Sequence, residues 1–168
     1  MKVKHISIAV DPEQTGNPVF GAPADLTAYI LEPVEGITDK KRPAVLLCPG
    51  GGYHKLSGRE DQPIAMKYLA AGFHVFVLHY SLVPDVFPRA LMELALSMKL
   101  IREHGNEWNV DVKRIAVSGF SAGGHLACCL GTFWNKEWLY KALEVKPEMI
   151  HDKRTNDHLA SILLSVIF

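Results

Sequence analysis

Hydrophobic residues along this chain follow two periods, and the switch between them outlines the elements. Over residues 3–10 they alternate loosely with polar ones, and residues 26–31 are rich in strand formers, so the chain opens with two antiparallel strands joined by a Pro/Gly loop. Ala44-Val45-Leu46-Leu47-Cys48 is an unbroken apolar run stopped by Pro49-Gly50-Gly51-Gly52, the pattern of a strand covered on both faces and the start of a parallel sheet. In residues 61–71 the positions Ile64, Ala65, Tyr68, Leu69 and Ala71 mark one helix face, and Gly72 stands where a helix-ending glycine belongs. Residues 74–78 are the next buried strand. Between Pro88 and His104 the apolar positions Ala90, Leu91, Leu94, Ala95, Met98 and Ile101 recur every three or four residues, which predicts a helix of about four turns ended by Gly105.

Residues 114–118 form another short buried strand, followed by a tight turn over 119–124 and an apolar helix through Leu126, Ala127 and Leu130. Residues 132–158, with Trp134, Trp138, Tyr140 and Pro147, read as an amphipathic excursion placed where a cap over a pocket is built. Residues 159–168 close the chain with a β-rich run. This β-α alternation specifies a three-layer α/β/α sandwich with a mostly parallel sheet and right-handed crossovers, one domain over residues 1–168.

Composition narrows the function. Among 168 residues, 18 Lys and Arg balance 18 Asp and Glu, and the longest basic run is Lys40-Lys41-Arg42, so there is no electrostatic footprint for nucleic acid or an anionic membrane. The N-terminus lacks an apolar signal core, and no stretch approaches the ~18 apolar residues of a membrane span, which points to the cytoplasm. Cys48, Cys128 and Cys129 give an odd count without metal-binding spacing, so neither a disulfide framework, a metal site nor a cofactor is expected.

The chemistry lies at Gly119-Phe120-Ser121-Ala122-Gly123, a G-x-S-x-G sequence directly after a buried strand and opening a helix. A serine on so sharp a turn projects its hydroxyl above the sheet. Gly119 and Gly123 remove side chains that would strike the neighbouring strand and helix, and the helix N-terminus adds positive potential for an oxyanion. Pro49-Gly50-Gly51-Gly52-Tyr53 follows the first buried strand, in the loop that supplies further oxyanion donors. Neither glycine cluster fits the spacing of a phosphate-binding or dinucleotide-binding loop.

With these residues in view, the chain resembles α/β-hydrolases of the acetyl-esterase/lipase group, relatives of hormone-sensitive-lipase-type and acetylxylan esterases. The matching stretches are the glycine loop, Ala70-Ala71-Gly72-Phe73-His74-Val75, Tyr80-Ser81-Leu82-Val83-Pro84 with Phe87-Pro88, and the segment from Ile101-Arg102-Glu103-His104 to Gly123-Gly124-His125-Leu126-Ala127. The resemblance implies a serine carboxylester hydrolase acting on small acyl esters, acetylated carbohydrates included. Ser121 is the implied nucleophile, and the amides of Gly51, Gly52 and Ala122 the implied oxyanion hole. Pro49 replaces a customary histidine. Tyr53 and His54 are candidate substrate-binding residues beside the glycine loop.

In this fold the acid and histidine of the triad follow the serine in chain order. After Ser121 the sequence offers one further strand, by resemblance the sixth of eight, so the chain reads as an N-terminal part with its acid and base expected beyond residue 168. An open apolar edge at residues 161–168 would favour association with a second copy. His125 is expected beneath the turn in a packing role, His151 and His158 with Asp152 and Asp157 on the excursion. Glu93 and Glu103 are expected on a solvated helix face, and the Phe133, Trp134, Trp138 and Tyr140 cluster in core or cap packing. Arg59-Glu60-Asp61 either orders the glycine loop or caps the next helix, with capping by Asp61 favoured. A peptidase or thioesterase on the same scaffold, and a catalytically incomplete chain acting as a binding or dimerising module, are the alternative readings.

Overall fold

The computed structural model describes residues 1–33 and 40–151, together with the backbone of residues 162–164. The first two strands, β1 (Lys2–Ile8) and β2 (Ala24–Ile30), are antiparallel, and between them the Pro/Gly loop holds one short helix, α1 (Pro12–Thr15). The hydrophobic pattern does not reveal α1. Its signal is local: Gln14, three residues after Asp11, turns its side chain back to accept a hydrogen bond from the Asp11 amide at 2.9 Å.

Then follow β3 (Arg42–Cys48), α2 (Gln62–Ala70), β4 (His74–His79), α3 (Arg89–Glu103), β5 (Val110–Gly119), α4 (Ala122–Phe133), α5 (Glu137–Ala142), α6 (Pro147–Ile150) and β6 (Ile162–Leu164). The strands lie in the order β1-β2-β4-β3-β5-β6, with β4, β3, β5 and β6 parallel to one another. The excursion of residues 132–158 is helical in its described part. His158, Asp152 and Asp157 lie outside the described residues, as do the side chains of residues 161–168, the segment expected to mediate association. Among the described residues no helix is long and apolar enough to cross a membrane.

Both faces of the sheet are covered, which is why its central strands read as continuous apolar runs. Ala44, Leu46 and Cys48 of β3 and Phe76 and Leu78 of β4 join a core shared with Leu91, Leu94, Ala95 and Met98 of α3 and Leu126, Ala127 and Leu130 of α4. The alternate residues Leu47, Val75 and Val77 pack on the other face with Ala65 and Leu69 of α2. Burying each such Leu is worth about 1.5–3 kcal/mol.

Strand β5 begins at Val110, four residues before the apolar run. Its register against β3 jumps from Arg42↔Val110 to Ala44↔Ile115, so Asp111 to Arg114 bulge out and break the apolar pattern.

Glu93 corrects a sequence expectation. It is fully buried, and its carboxylate accepts hydrogen bonds from the Ser81 amide at 2.8 Å and the Ser81 hydroxyl at 2.5 Å while pairing with Arg89 Nε at 3.1 Å. Burial pushes its pKa up, against the lowering effect of these partners. Arg89, also buried, lies 2.7 Å from Asp85 Oδ1 and donates to the Gly21 and Ala22 carbonyls. Asp85 in turn accepts from the Phe20 and Gly21 amides. Helical periodicity placed Glu93 outward because it cannot register that the chain after β4 folds back over α3. Glu103, paired with Lys99, is on the solvated face as expected.

This network fixes the segment between β4 and α3 to the loop before β2. Arg89→Ala leaves the Asp85 and Glu93 carboxylates buried without their cation, so a loss of about 3–5 kcal/mol in unfolding free energy is expected, measured by urea denaturation.

Candidate active site

Strands β3 and β5 are direct neighbours, so the loops at their C-terminal ends meet. Ser121 sits between β5 and α4 with φ +48° and ψ −116°, a conformation that costs a non-glycine residue about 1–3 kcal/mol unless its surroundings enforce it. Here they do. Phe120 donates its amide to Cys48 O at 3.2 Å, Gly123 donates to Phe120 O at 2.8 Å, and His125 donates to Ser121 O at 2.9 Å. A Cβ on Gly123 would stand 2.6 Å from Pro49 O and closer still to Cys48 O, and one on Gly119 would strike the Gly123 carbonyl. Ser121 occupies the N-cap position of α4, yet its side chain makes no capping bond and is exposed. Its hydroxyl is thus free for chemistry.

The glycine loop is folded back against this turn. Gly51 and Gly52 have φ of +135° and +67°, values open to glycine at little expense. A Cβ on Gly50 would lie 2.6 Å from Phe120 O. Glu60 Oε2 accepts from the Gly50 amide at 2.8 Å, and the Tyr80 hydroxyl donates to Pro49 O at 2.6 Å. Among the described residues no acceptor takes the amides of Gly51, Gly52 or Ala122. Gly51, Gly52 and Ser121 line one open cleft, of about 390 Å³.

Of the two roles weighed for Arg59-Glu60-Asp61, the structure therefore shows loop ordering, through Glu60. Asp61 holds the N-cap position of α2 but makes no side-chain capping bond; its carboxylate pairs instead with His79 Nε2 at 2.6 Å. Cap preference reads only sequence neighbours, and His79 reaches Asp61 from the C-terminal end of β4.

Tyr53, which follows the glycine loop, lines a second space. Its hydroxyl shares a 2.9 Å hydrogen bond with His125 Nδ1, and its ring meets Tyr80 edge-on with centroids 5.7 Å apart. This space is a pocket of about 280 Å³ with an apolar floor and rim that includes Val83, Phe87, Leu91, Leu126 and Cys129. His125 lines this pocket as well. It is exposed, so the packing role expected beneath the turn is corrected: the first turn of α4 presents it outward, one turn above Ser121.

His54 is exposed and lines neither space. His151 meets Trp134 at a 45° tilt, with centroids 4.9 Å apart, and lines neither space. Trp138 is 42% exposed and packs edgewise on Phe87 and Phe133 at the rim, whereas Leu139 beside it is fully buried. Sequence reasoning gave Tyr80 no role and left His125 out of the pocket. Tyr80 stood inside a resembling stretch, the one signal that could have singled it out. Among the described residues no cluster of three or more His, Cys, Asp or Glu is arranged to hold a metal ion.

Gly123→Ala, by pressing a methyl group into the Cys48 and Pro49 carbonyls, is expected to abolish soluble folding or displace Ser121, read by circular dichroism and by serine labelling. Burial pushes the Tyr53 phenol up from 10 to about 12. The folded chain then holds a proton that the unfolded chain releases, so this group removes stability as pH rises through that window. The alkaline fall in denaturation midpoint is expected to be shallower in Tyr53→Phe.

The chain is similar to known proteins over most of its length. The family model described as BD-FAE matches residues 33–161. Endo-1,4-beta-xylanase B of Butyrivibrio fibrisolvens is 31% identical over 120 residues, covering 69% of this chain and 18% of that protein. The acetylxylan esterase of Xylanibacter ruminicola is 30% identical over 90 residues, 53% of this chain and 19% of that protein. The carboxylesterase Cest-2923 from Lactobacillus plantarum superposes with a TM-score of 0.71 at 33% identity, covering 85% of this chain and 50% of that one. The chain thus spans under a fifth of these two curated relatives and half of the solved esterase. On the matched residues, the shared fold and the turn built by Gly119 to Gly123, the chain belongs to the BD-FAE family, within the esterase group of α/β-hydrolases.

Proposed function

We propose that this chain supplies the nucleophile and oxyanion hole of a serine carboxylester hydrolase that cleaves small acyl esters, acetylated carbohydrates among them. The observation that carries the reading is the geometry of Ser121: an exposed hydroxyl on an enforced left-handed turn, sharing a cleft with the untaken amides of Gly51 and Gly52. The names of the relatives, an acetylxylan esterase and a carboxylesterase, support the substrate class.

In this reading Ser121 Oγ attacks the ester carbonyl carbon and its proton passes to a general base. The carbonyl oxygen becomes an oxyanion that accepts from the Gly51, Gly52 and Ala122 amides, with the N-terminus of α4 adding positive potential. Collapse of the tetrahedral intermediate expels the alcohol, protonated by the same base, and leaves an acyl-serine that water hydrolyses to acid and free serine. The base and its acid belong to the loops that the fold carries after its sixth strand. Among the described residues no side chain hydrogen-bonds Ser121 Oγ. A serine without its base keeps roughly 10³–10⁴-fold catalysis over water from the oxyanion hole and binding.

Intact-mass spectrometry of the 18.6 kDa chain after exposure to a neutral fluorophosphonate tests the assignment. Because the oxyanion amides are present and the base is not, a slow single adduct, built up over hours in excess probe, mapped to Ser121 by peptide analysis and lost in Ser121→Ala, is expected. A folded chain that takes no adduct, or takes it elsewhere, overturns it.

A further inference from the structure

The two spaces near the serine turn differ in charge. The pocket of about 280 Å³ that Tyr53 and His125 line has Val83, Phe87, Leu91 and Leu126 in its wall, and its charged members Asp85 and Arg89 are paired with each other. On the glycine-loop side, the cleft of about 390 Å³ is lined by Gly51, Gly52, Lys55, Arg59, Glu60 and Ser121 among others. Lys55 and Arg59 are both exposed there. The Lys55 stem lies along the loop, so that a Cβ on Gly51 would meet Lys55 Cγ at 3.2 Å. Among the described residues neither cation has an ion pair or side-chain hydrogen bond. The one carboxylate of the cleft lining, Glu60, is committed to the Gly50 amide.

Exposed lysines without a carboxylate partner occur elsewhere too, Lys67 and Lys136 among the described residues, but Lys55 and Arg59 are the two cations that line the cleft of the serine. Two cations against one carboxylate, Glu60, thus leave net positive charge facing the same space as the nucleophile. An ester has two arms on its carbonyl carbon, and only one can run past Gly51. The planar guanidinium of Arg59 can hold a carboxylate through two parallel hydrogen bonds, and the Lys55 ammonium adds a point charge.

Resting on the assignment of Ser121 as nucleophile, we propose that the substrate is a carboxylate-bearing ester, whose anionic arm is received by Lys55 and Arg59 while its other arm is small or apolar and turns toward Tyr53. The anion can sit on the alcohol side, as in an acylated acidic sugar, or on the acyl side, as in a dicarboxylic monoester; both present the same group to the same two cations.

The test separates binding from reactivity. Amide proton and nitrogen shifts of the labelled chain are followed while titrating matched pairs: para-hydroxybenzoate against para-hydroxybenzamide for the alcohol side, and adipic monoamide against hexanamide for the acyl side. In at least one pair the anion is expected to bind about five- to tenfold more tightly, as two partly exposed ion pairs allow, with shifts at Gly51, Gly52 and Lys55. That preference should shrink at high salt and fall to within about twofold in the double variant Lys55→Gln/Arg59→Gln, whose melting temperature checks its fold. Equal binding of anion and amide in both pairs overturns the proposal, as does a preference that survives the double variant. Labelling of Ser121 by a neutral fluorophosphonate is scored separately, so a failed nucleophile and a failed anion site give different results.

Discussion

The structure turns on a contact between two backbones. Where β3 ends and α4 begins, Gly123 lies against the carbonyls of Cys48 and Pro49 more closely than any residue with a Cβ could. This approach lets the Phe120 amide reach Cys48 O and brings the glycine loop over the serine turn. It also forces Ser121 into a backbone conformation that an isolated chain would leave at once. The strain is held by the pairing of β3 with β5 and by the core beneath, so the stability of the sheet is what keeps the hydroxyl raised and unbonded.

Around that contact the polar groups divide the labour. Glu60 and Tyr80 take up the Gly50 amide and the Pro49 carbonyl, the two polar groups of the peptide bond before the first glycine, and so fix the loop while the next two amides stay open. Asp85, Arg89 and Glu93 do the same for the segment that walls the apolar pocket. A buried ionic network of this kind adds little net stability compared with a well-packed apolar substitute, yet it tolerates no missing member, because any removal strands a charge. Its effect is to give one geometry to a loop that has few apolar anchors of its own: Val83, Val86 and Phe87 are 46%, 53% and 59% exposed.

The serine cleft and the pocket lined by Tyr53 then receive different chemistries from neighbouring stretches of chain. The residues after the glycine loop bring cations, and those between β4 and α3 bring hydrocarbon. Tyr53, with φ of +61°, is held in the wall of the pocket by the hydrogen bond between its hydroxyl and His125. Loops of a layered α/β protein diverge in this manner on a scaffold that changes little, which is why family membership speaks to the reaction more clearly than to the substrate.

The order of strands and helices, the parallel centre of the sheet and the serine turn were legible in the residues themselves. Burial on both faces demands the unbroken runs of β3 and β4, and only glycine can stand at 119 and 123, so pattern and composition carry that information locally. Three polar contacts were among the features that were not legible: the buried Glu93, the pairing of Asp61 with His79, and the outward His125 sharing a hydrogen bond with Tyr53. Each joins residues at least 12 positions apart, or depends on which way a loop folds over a helix. Sequence periodicity records which side of an element is apolar, because the hydrophobic effect acts on every residue of that side alike. Which polar group meets which is a matter of single contacts between distant segments, and tertiary folding alone decides it.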